Sequence, residues 1–480
     1  MSRPRFPIML LTLLAGCTVG PDYQRPVSPG AAAAWLEPGT QGAVDPLWWR
    51  QFDDPQLTAL VERAFSNSPD LAEAEARLRE ARANRDAAAG GALPTLTAKG
   101  SATENELSKN GQIPIGSIPG FTRKFSLFDL GFDASWEIDL WGRQARTIEA
   151  ANARSAAAEA SLNDVRVMLA AEIARNYLDL RASQAQAAAL EAAAGTDAEL
   201  ARLTRLRFDA GEASRLDLAN AESAARTSAA AIPDARAAAA AAAYRIAVLV
   251  GAPPEEVVPG LGTAAPLPQS PDSILVGVRS ELLERRPDVR RAERDFAAAT
   301  AEIGVAKADL FPRFSLLGSI GQQARNAGDL TSGTSTRFQI GPSFSWPIFA
   351  AGTIRAQVRA ADARADAAAA RYEKAVLGAL SDSETAINRF LNARTALGDA
   401  EAALAAQTAS LNLSRQRAER GEDDRLALMR ATRAQIVAER AAIAARQAKA
   451  QAAITLFKAL GGGWQGEQTA ARLAPAPAPR

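Results

Sequence analysis

Between positions 125 and 137 apolar and polar side chains alternate without a break: Phe128, Leu130, Phe132, Ala134 and Trp136 against Asp129, Gly131, Asp133, Ser135 and Glu137. The alternation recurs at Phe338, Ile340, Pro342, Phe344 and Trp346 against Gln339, Gly341, Ser343 and Ser345. A period of two with one wholly apolar face predicts a half-buried strand, or a barrel strand with lipid outside and water inside. Each run is about long enough to cross a membrane. Residues 96–103 and 314–322 supply a weaker partner for each, across Gly/Pro/Asn/Ser-rich stretches at 105–119 and 324–336. Two hairpins per chain follow. Trp136 and Trp346 close their strands where a membrane-interface girdle would lie. A soluble antiparallel sheet packed on helices alternates in the same way. If the strands do cross a membrane, four are too few to close a barrel, which needs about eight. The chain would then have to be an oligomer.

The period then lengthens. From Gly142 to Gly211, and again from Gly352 to Gly421, alanine dominates and proline is absent. Each stretch predicts a helix of about 100 Å at 1.5 Å rise per residue, longer than a compact domain needs. Leu162, Val165, Leu169, Ile173, Tyr177 and Leu180 form a stripe at spacings of three and four. Phe390, Leu397, Leu404 and Leu411 recur every seventh residue, the spacing of a left-handed coiled coil. Gly211 and Gly421 mark sharp turns into shorter returning helices that end near Gly251 and Gly461. The segment from Pro287 to Leu310 is available to stack on the helix closing at Gly251 and restore a full-length partner. The prolines between 253 and 271 read as a belt around the helices or as a plain linker.

These elements occur twice. Trp136 recurs as Trp346, Gly211-Glu212 as Gly421-Glu422 and Gly251 as Gly461, each 210 residues later. Upstream the offset is 218, carrying Pro69-Asp70 onto Pro287-Asp288 and Pro94 onto Pro312. The first copy is therefore eight residues longer between Pro94 and Ser135, and the first loop is the natural home for the excess. Each copy supplies a unit unable to bury its apolar face alone, so function belongs to what the copies build together.

Composition narrows the chemistry. The chain has 480 residues, a formal net charge of +1, no histidine and one cysteine. Near-neutrality gives no reason to expect nucleic acid. His-based triads, His-rich zinc sites and intrachain disulfides are excluded. No Ser/Lys or carboxylate constellation stands out, so neither enzymatic activity, nor a cofactor, nor a metal is expected. The lone Cys17 follows Arg3, Arg5 and an apolar run too short to span a bilayer, the pattern of a secretory signal peptide over residues 1–16. Leu14-Ala15-Gly16-Cys17 resembles the bacterial lipobox, which implies acylation (palmitate) at Cys17 and a tether to a membrane rather than a crossing of it. Thr18 stands where that resemblance associates aspartate with inner-membrane retention, which favours the outer membrane.

The expected organisation is a lipid-anchored, proline-rich extended arm and first short helix (17–68), a helix (69–94), a β-hairpin (95–137) and a long helical hairpin (142–251). A linker (252–286) leads to the second helix (287–312), β-hairpin (313–347) and helical hairpin (352–461), and residues 462–480 form a disordered tail. The chain resembles the lipoprotein branch of the trimeric outer-membrane efflux factors, the TolC/OprM-like channel proteins. The resemblance rests on Cys17-Thr18-Val19-Gly20-Pro21-Asp22-Tyr23, on Trp48-Trp49 with Phe52 and Asp54-Pro55, on Glu284-Arg285-Arg286-Pro287-Asp288-Val289, and on both Trp-containing strands. It covers essentially the whole mature chain.

That resemblance implies an α+β membrane protein, a homotrimer with a twelve-stranded barrel in outer-membrane lipid and a helical tunnel in the periplasm. Its implied partners are a periplasmic adaptor (membrane fusion) protein and an inner-membrane efflux pump, and its implied function is passive export of small molecules. The helical tips, with Gly211, Ser214 and Gly421, would meet the adaptor. The first tip keeps the family pattern as Phe208, Gly211, Ser214 and Asp217, whereas the second has Ala418 and Arg430 where an aromatic and an aspartate are usual. Asp217 and Arg430, with Asp423 and Asp424, are expected to form inter-helix ion pairs holding the resting entrance shut. Asp129, Asp133 and Glu137 on the lumen face are expected to favour cations. The alternatives are a tethering coiled-coil lipoprotein with a soluble sheet, and the outer-membrane duct of a protein secretion system.

Overall fold

The computed structural model describes residues 18–27, 30, 32–37, 42–108 and 122–464. The signal segment, Cys17, most of the first hairpin loop and positions 465–480 lie outside the described residues. The elements run α1 (Pro55–Asn67), α2 (Pro69–Gly90), β1 (Thr95–Glu106), β2 (Lys124–Ile138), α3 (Arg143–Asp209), α4 (Arg215–Leu249), α5 (Pro254–Leu261) and α6 (Arg279–Arg285). They continue with α7 (Pro287–Ala308), β3 (Arg313–Ala324), β4 (Thr336–Ser345), α8 (Thr353–Glu419) and α9 (Arg425–Ala459). The repeat is visible in the lengths: α3 and α8 both have 67 residues, α4 and α9 both have 35. The chain forms two compact units, and α2, α3, α7 and α8 each run from one into the other.

The first unit holds the sheet. Its four strands are antiparallel in the order β1-β2-β3-β4, so the two hairpins join through β2 and β3 while β1 and β4 remain edges. Trp136 donates its indole N–H to the carbonyl of Ala92, just past α2, and Trp346 donates to Leu310, just past α7. Each tryptophan thus satisfies a helix-end carbonyl while its ring stays at least one-third exposed. The amino-terminal arm is packed here. Val19 N–H donates to the carbonyl of Trp141 (3.0 Å), Asp22 accepts from Arg146 at 2.5 Å, and Tyr23 donates to Glu293 at 3.1 Å with its ring edge-on to Phe296.

The second unit contains the main apolar core. Trp48, Trp49 and Phe52, on one 3₁₀ turn, are fully buried with Leu57 and Val61 of α1, Ile173 and Leu178 of α3, Ile246 of α4, and Ile454 and Phe457 of α9. Trp48 stacks on Phe457 with centroids 5.1 Å apart. The stripe from Leu162 to Leu180 on α3 is buried, Val165 only partly. On α8, Phe390 and Leu411 are buried but Leu397 and Leu404 are half-exposed. Trp35 of the arm donates to the carbonyl of Gly277 (2.8 Å) beneath the Arg279 guanidinium, so this stretch also packs instead of hanging free. The proline-rich join is structured as well: it folds into α5 and α6, which bury Val257, Leu261, Leu282 and Leu283.

Two expectations change. The helix ending at Gly251 does not stack on the segment beginning at Pro287. A Cβ at Gly251 would sit 2.1 Å from the carbonyl oxygen of Asn67 and 3.2 Å from Pro69, so α4 ends on the start of α2. Gly461 in turn abuts Arg286, so α9 ends on the start of α7. Each copy closes its own return, because Pro69 and Pro287 start a helix at the same point of each repeat. The expectation of disorder from 462 also fails at its first residues. Gly462, Gly463 and Trp464 are buried, and Trp464 donates to the carbonyl of Arg285 at 3.1 Å.

Candidate functional site

On the sheet, register decides which side chains share a face. Phe132 of β2 lies opposite Ala98 and Ile320, Trp136 opposite Leu316, and Phe344 opposite Phe314. The result is one apolar face, broken beside Leu130 where Gln322 and Thr336 share its row, and it is uncovered: Leu130 is 59%, Phe338 68%, Ile340 62% and Phe344 69% exposed. Isolated apolar side chains on a surface are ordinary, but a contiguous sheet face of them marks an interaction with protein or membrane. No helix among the described residues is long and apolar enough to cross a membrane.

The opposite face is polar, and its acids are not a free row. Asp129 accepts a bidentate pair from Arg337 at 2.7 and 3.0 Å, plus Gln323 at 2.8 Å. Asp133 meets Lys99 at 2.7 Å and Glu137 meets Arg143 at 3.9 Å. The expected cation-favouring row is therefore largely neutralised. Reading β2 alone hides this, because Lys99 and Arg337 come from β1 and β4, the two edges.

The helical turns in the second unit are built twice by one device. Gly211 has φ +78° and Gly421 φ +76°, the left-handed region that ends a helix at little cost only for glycine. Glu212 N–H returns to the carbonyl of Arg207 at 2.7 Å and Glu422 N–H to that of Arg417 at 2.9 Å, which fixes each reversal. The next helix is then capped: Ser214 and Asp217 exchange side-chain-to-backbone bonds of 3.1 Å at the start of α4, and Asp424 accepts from Ala427 N–H at 2.7 Å at the start of α9.

Capping consumes the expected gate acids. Ser214, through its hydroxyl and its backbone N–H, holds the Asp217 carboxyl below its ordinary value of 3.8. Asp423 pairs with Arg417 at 3.0 Å, inside its own turn. Asp217 and Arg430 line one cleft of about 420 Å3 together with Arg207, Glu212 and Arg433, but no ion pair joins them within the chain. The physical reason is proximity: Ser214 sits three residues from Asp217 on the same turn, and a helix N-terminus attracts a carboxylate.

The bonds that tie the helical hairpins together lie elsewhere. Asp197 of α3 is buried, accepts from Arg433 of α9 at 2.5 Å and takes the hydroxyl of Ser228 of α4, so one carboxylate joins three helices. Glu199 pairs with Arg425 at 2.9 Å, Asp179 accepts from Gln447 at 2.8 Å, and Arg205 pairs with Glu222. Sequence reasoning missed Asp197, although a signal was present. Leu190, Ala193, Asp197 and Leu200 continue the three-and-four stripe, and an acid on a buried stripe requires a partner. Among the described residues no acidic cluster is arranged to hold a metal ion.

Comparison with known proteins identifies the architecture. The profile of the outer membrane efflux protein family matches twice, over residues 60–252 and 278–462, tracking the two copies. Nodulation protein T of Rhizobium leguminosarum bv. trifolii is 34% identical over 378 residues, 78% of this chain and 79% of that protein. The pyoverdine export outer membrane protein OpmQ of Pseudomonas aeruginosa is 30% identical over 467 residues, 95% of this chain and 96% of that protein. The solved outer-membrane channel OprN superposes with a TM-score of 0.82 at 38% identity, covering 94% of this chain and all of that one. The chain belongs to the outer membrane efflux protein family and is the outer-membrane channel component of an efflux system.

Proposed function

We propose that three copies of the chain close one twelve-stranded barrel in the outer membrane and continue it as a helical duct for passive export of small molecules. The observation that carries this reading is the sheet. It has four strands, one uncovered apolar face and two open edges, so a single copy can satisfy neither its edge backbone groups nor its apolar surface in lipid. Pairing β4 of one copy with β1 of the next removes both deficits, and three copies supply twelve strands, above the minimum of about eight. Trp136 and Trp346 then belong to an interface girdle. Acylated Cys17, which lies outside the described residues, anchors the arm. The partners are a periplasmic adaptor at the turns around Gly211, Ser214 and Gly421, and an inner-membrane pump that supplies energy and specificity. Oligomeric state in detergent tests the assembly: a trimer is expected, and a stable monomer overturns it.

The resting entrance is held by the Asp197 cluster. Arg433 and Ser228 bind one buried carboxylate from two directions, so α9 and α4 cannot swing away from α3 without stranding it. Asp217, Asp423 and Asp424 support the turns, and Arg430 lines the cleft that Asp217 also lines, with no ion-pair partner among the described residues. Single-channel conductance discriminates: Asp197→Ala and Arg433→Ala are expected to raise open probability, and Asp217→Ala to change it little. An effect of Asp217→Ala with none from the other two would reverse the assignment.

A further inference from the structure

The two points where a helical return meets the start of a short helix have opposite chemistry. In copy one, a cleft of about 390 Å3 between α2, α3 and the end of α4 presents Asp70, Glu73, Asp164 and Glu172. Its one lining cation, Arg77, is paired with Glu73 at 2.5 Å. In copy two the corresponding cleft, about 630 Å3 and bounded by α3, α7, α8 and α9, presents Arg286, Arg291, Arg389 and Lys458 against Asp164, Asp288 and Asp382. At the repeat offsets Arg291, Arg389 and Lys458 stand where copy one has Glu73, Asp179 and Val248. The positive character was therefore not inherited from the fold.

The internal pairing shows which cations are spoken for. Arg286 is fixed by Asp288 at 2.8 and 3.0 Å, by Asp382 at 3.3 Å and by the carbonyls of Ala379 and Ala459, one cation between two carboxylates. Arg291 meets Asp164 only at 3.9 Å. Arg389, exposed, and Lys458, half-buried, have no ion-pair partner among the described residues. Arg291, Arg389 and Lys458, from three helices, thus converge with Arg286 on one concavity lined by the acids Asp164, Asp288 and Asp382, a formal excess of one positive charge, and a concave wall focuses that field.

We propose that this cleft is a binding site for a small anion of the carboxylate, phosphate or sulfonate class. The guanidinium of Arg389 matches such groups in a planar fork, and Lys458 and Arg291 add positive charge from the facing helices. Binding does not depend on the duct reading and can be measured on the isolated chain.

Calorimetric titration of inorganic pyrophosphate into the purified full-length chain in detergent tests it, with oligomeric state recorded in parallel so that the two readings fail separately. Saturable binding is expected. Combined Arg389→Ala and Lys458→Ala should weaken it about tenfold or more. Exchanging the two as Arg389→Lys and Lys458→Arg should retain it, and Glu73→Gln in the acidic cleft should leave it unchanged. Absence of saturable binding to the native chain, or undiminished binding to the double variant, overturns the proposal. Should the double variant lose its helical circular dichroism, Lys458→Met alone decides by the same criterion.

Discussion

Arg433 and Asp197 look like an ordinary ion pair in the sequence but carry unequal burdens. The Asp197 side chain is 2% exposed and that of Arg433 47%. Removing the arginine strands a buried carboxylate, whereas neutralising the acid frees an arginine that already reaches water. Arg433→Ala is therefore expected to cost about 1–3 kcal/mol and Asp197→Asn less, measured by denaturant unfolding. Asp164 and Asp288 make a second contrast. Burial, then the neighbouring Asp288 charge, raises the Asp164 carboxyl above its ordinary 3.8. Burial would raise Asp288 too, but two bonds and the charge of Arg286 outweigh it and hold that carboxyl low. Ionising Asp164 therefore subtracts stability above its ordinary pKa, and the loss is recovered as pH falls through its raised value. Ionised Asp288 adds stability above its ordinary pKa, and the gain disappears as pH falls through its lowered one. Asp164→Asn is expected to raise the melting temperature at neutral pH with the difference vanishing in acid, and Asp288→Asn to lower it at neutral pH. Thermal melts across pH check both. Arg286 stands two positions from Asp288, but the partners of Asp197 and the neighbours of Asp164 were not legible from residue type, because they lie on other helices, Arg433 being 236 positions from Asp197.

At the scale of elements, the same residue type does two jobs. Gly211 and Gly251 both have left-handed φ, +78° and +67°. Nothing lies within 4 Å of a Cβ added at Gly211, while one at Gly251 would meet the Asn67 carbonyl at 2.1 Å. Gly211→Ala is expected to cost about 1–2 kcal/mol, the strain of a left-handed residue alone. Gly251→Ala should cost clearly more, since backbone must also move, and parallel chemical melts give the comparison. The turns themselves were legible, as glycine after a long proline-free alanine run has few other meanings. What Gly251 abuts was not: helix ends carry no label for their stacking partner. The strands were legible for the same reason as the turns, through a period of two unbroken over many residues.

For the whole molecule, the sheet makes a prediction independent of the lipid. If the uncovered apolar face is solvated by membrane, Cys17→Ser should leave the chain dependent on detergent for extraction, and release into buffer would mean the face is covered in some other way. The family profile matching twice and the equal lengths of α3 and α8 fit a duct built from repeated staves. The copies diverge where their chemistry does, at Glu73 and Arg291, and at Asp217 and the equivalent Ala427. The sequence by itself determined the repeat, the alternation that makes strands, the long helices and their turns, because these depend on local periodicity and on backbone preferences read within a few residues. Only the tertiary structure decided that Lys99 and Arg337 neutralise the acids of β2, that Asp217 caps its own helix, that Asp197 joins three helices, and that cations gather at the start of α7. Those outcomes depend on which distant side chains share a volume, and charge chooses the partner that packing brings nearest.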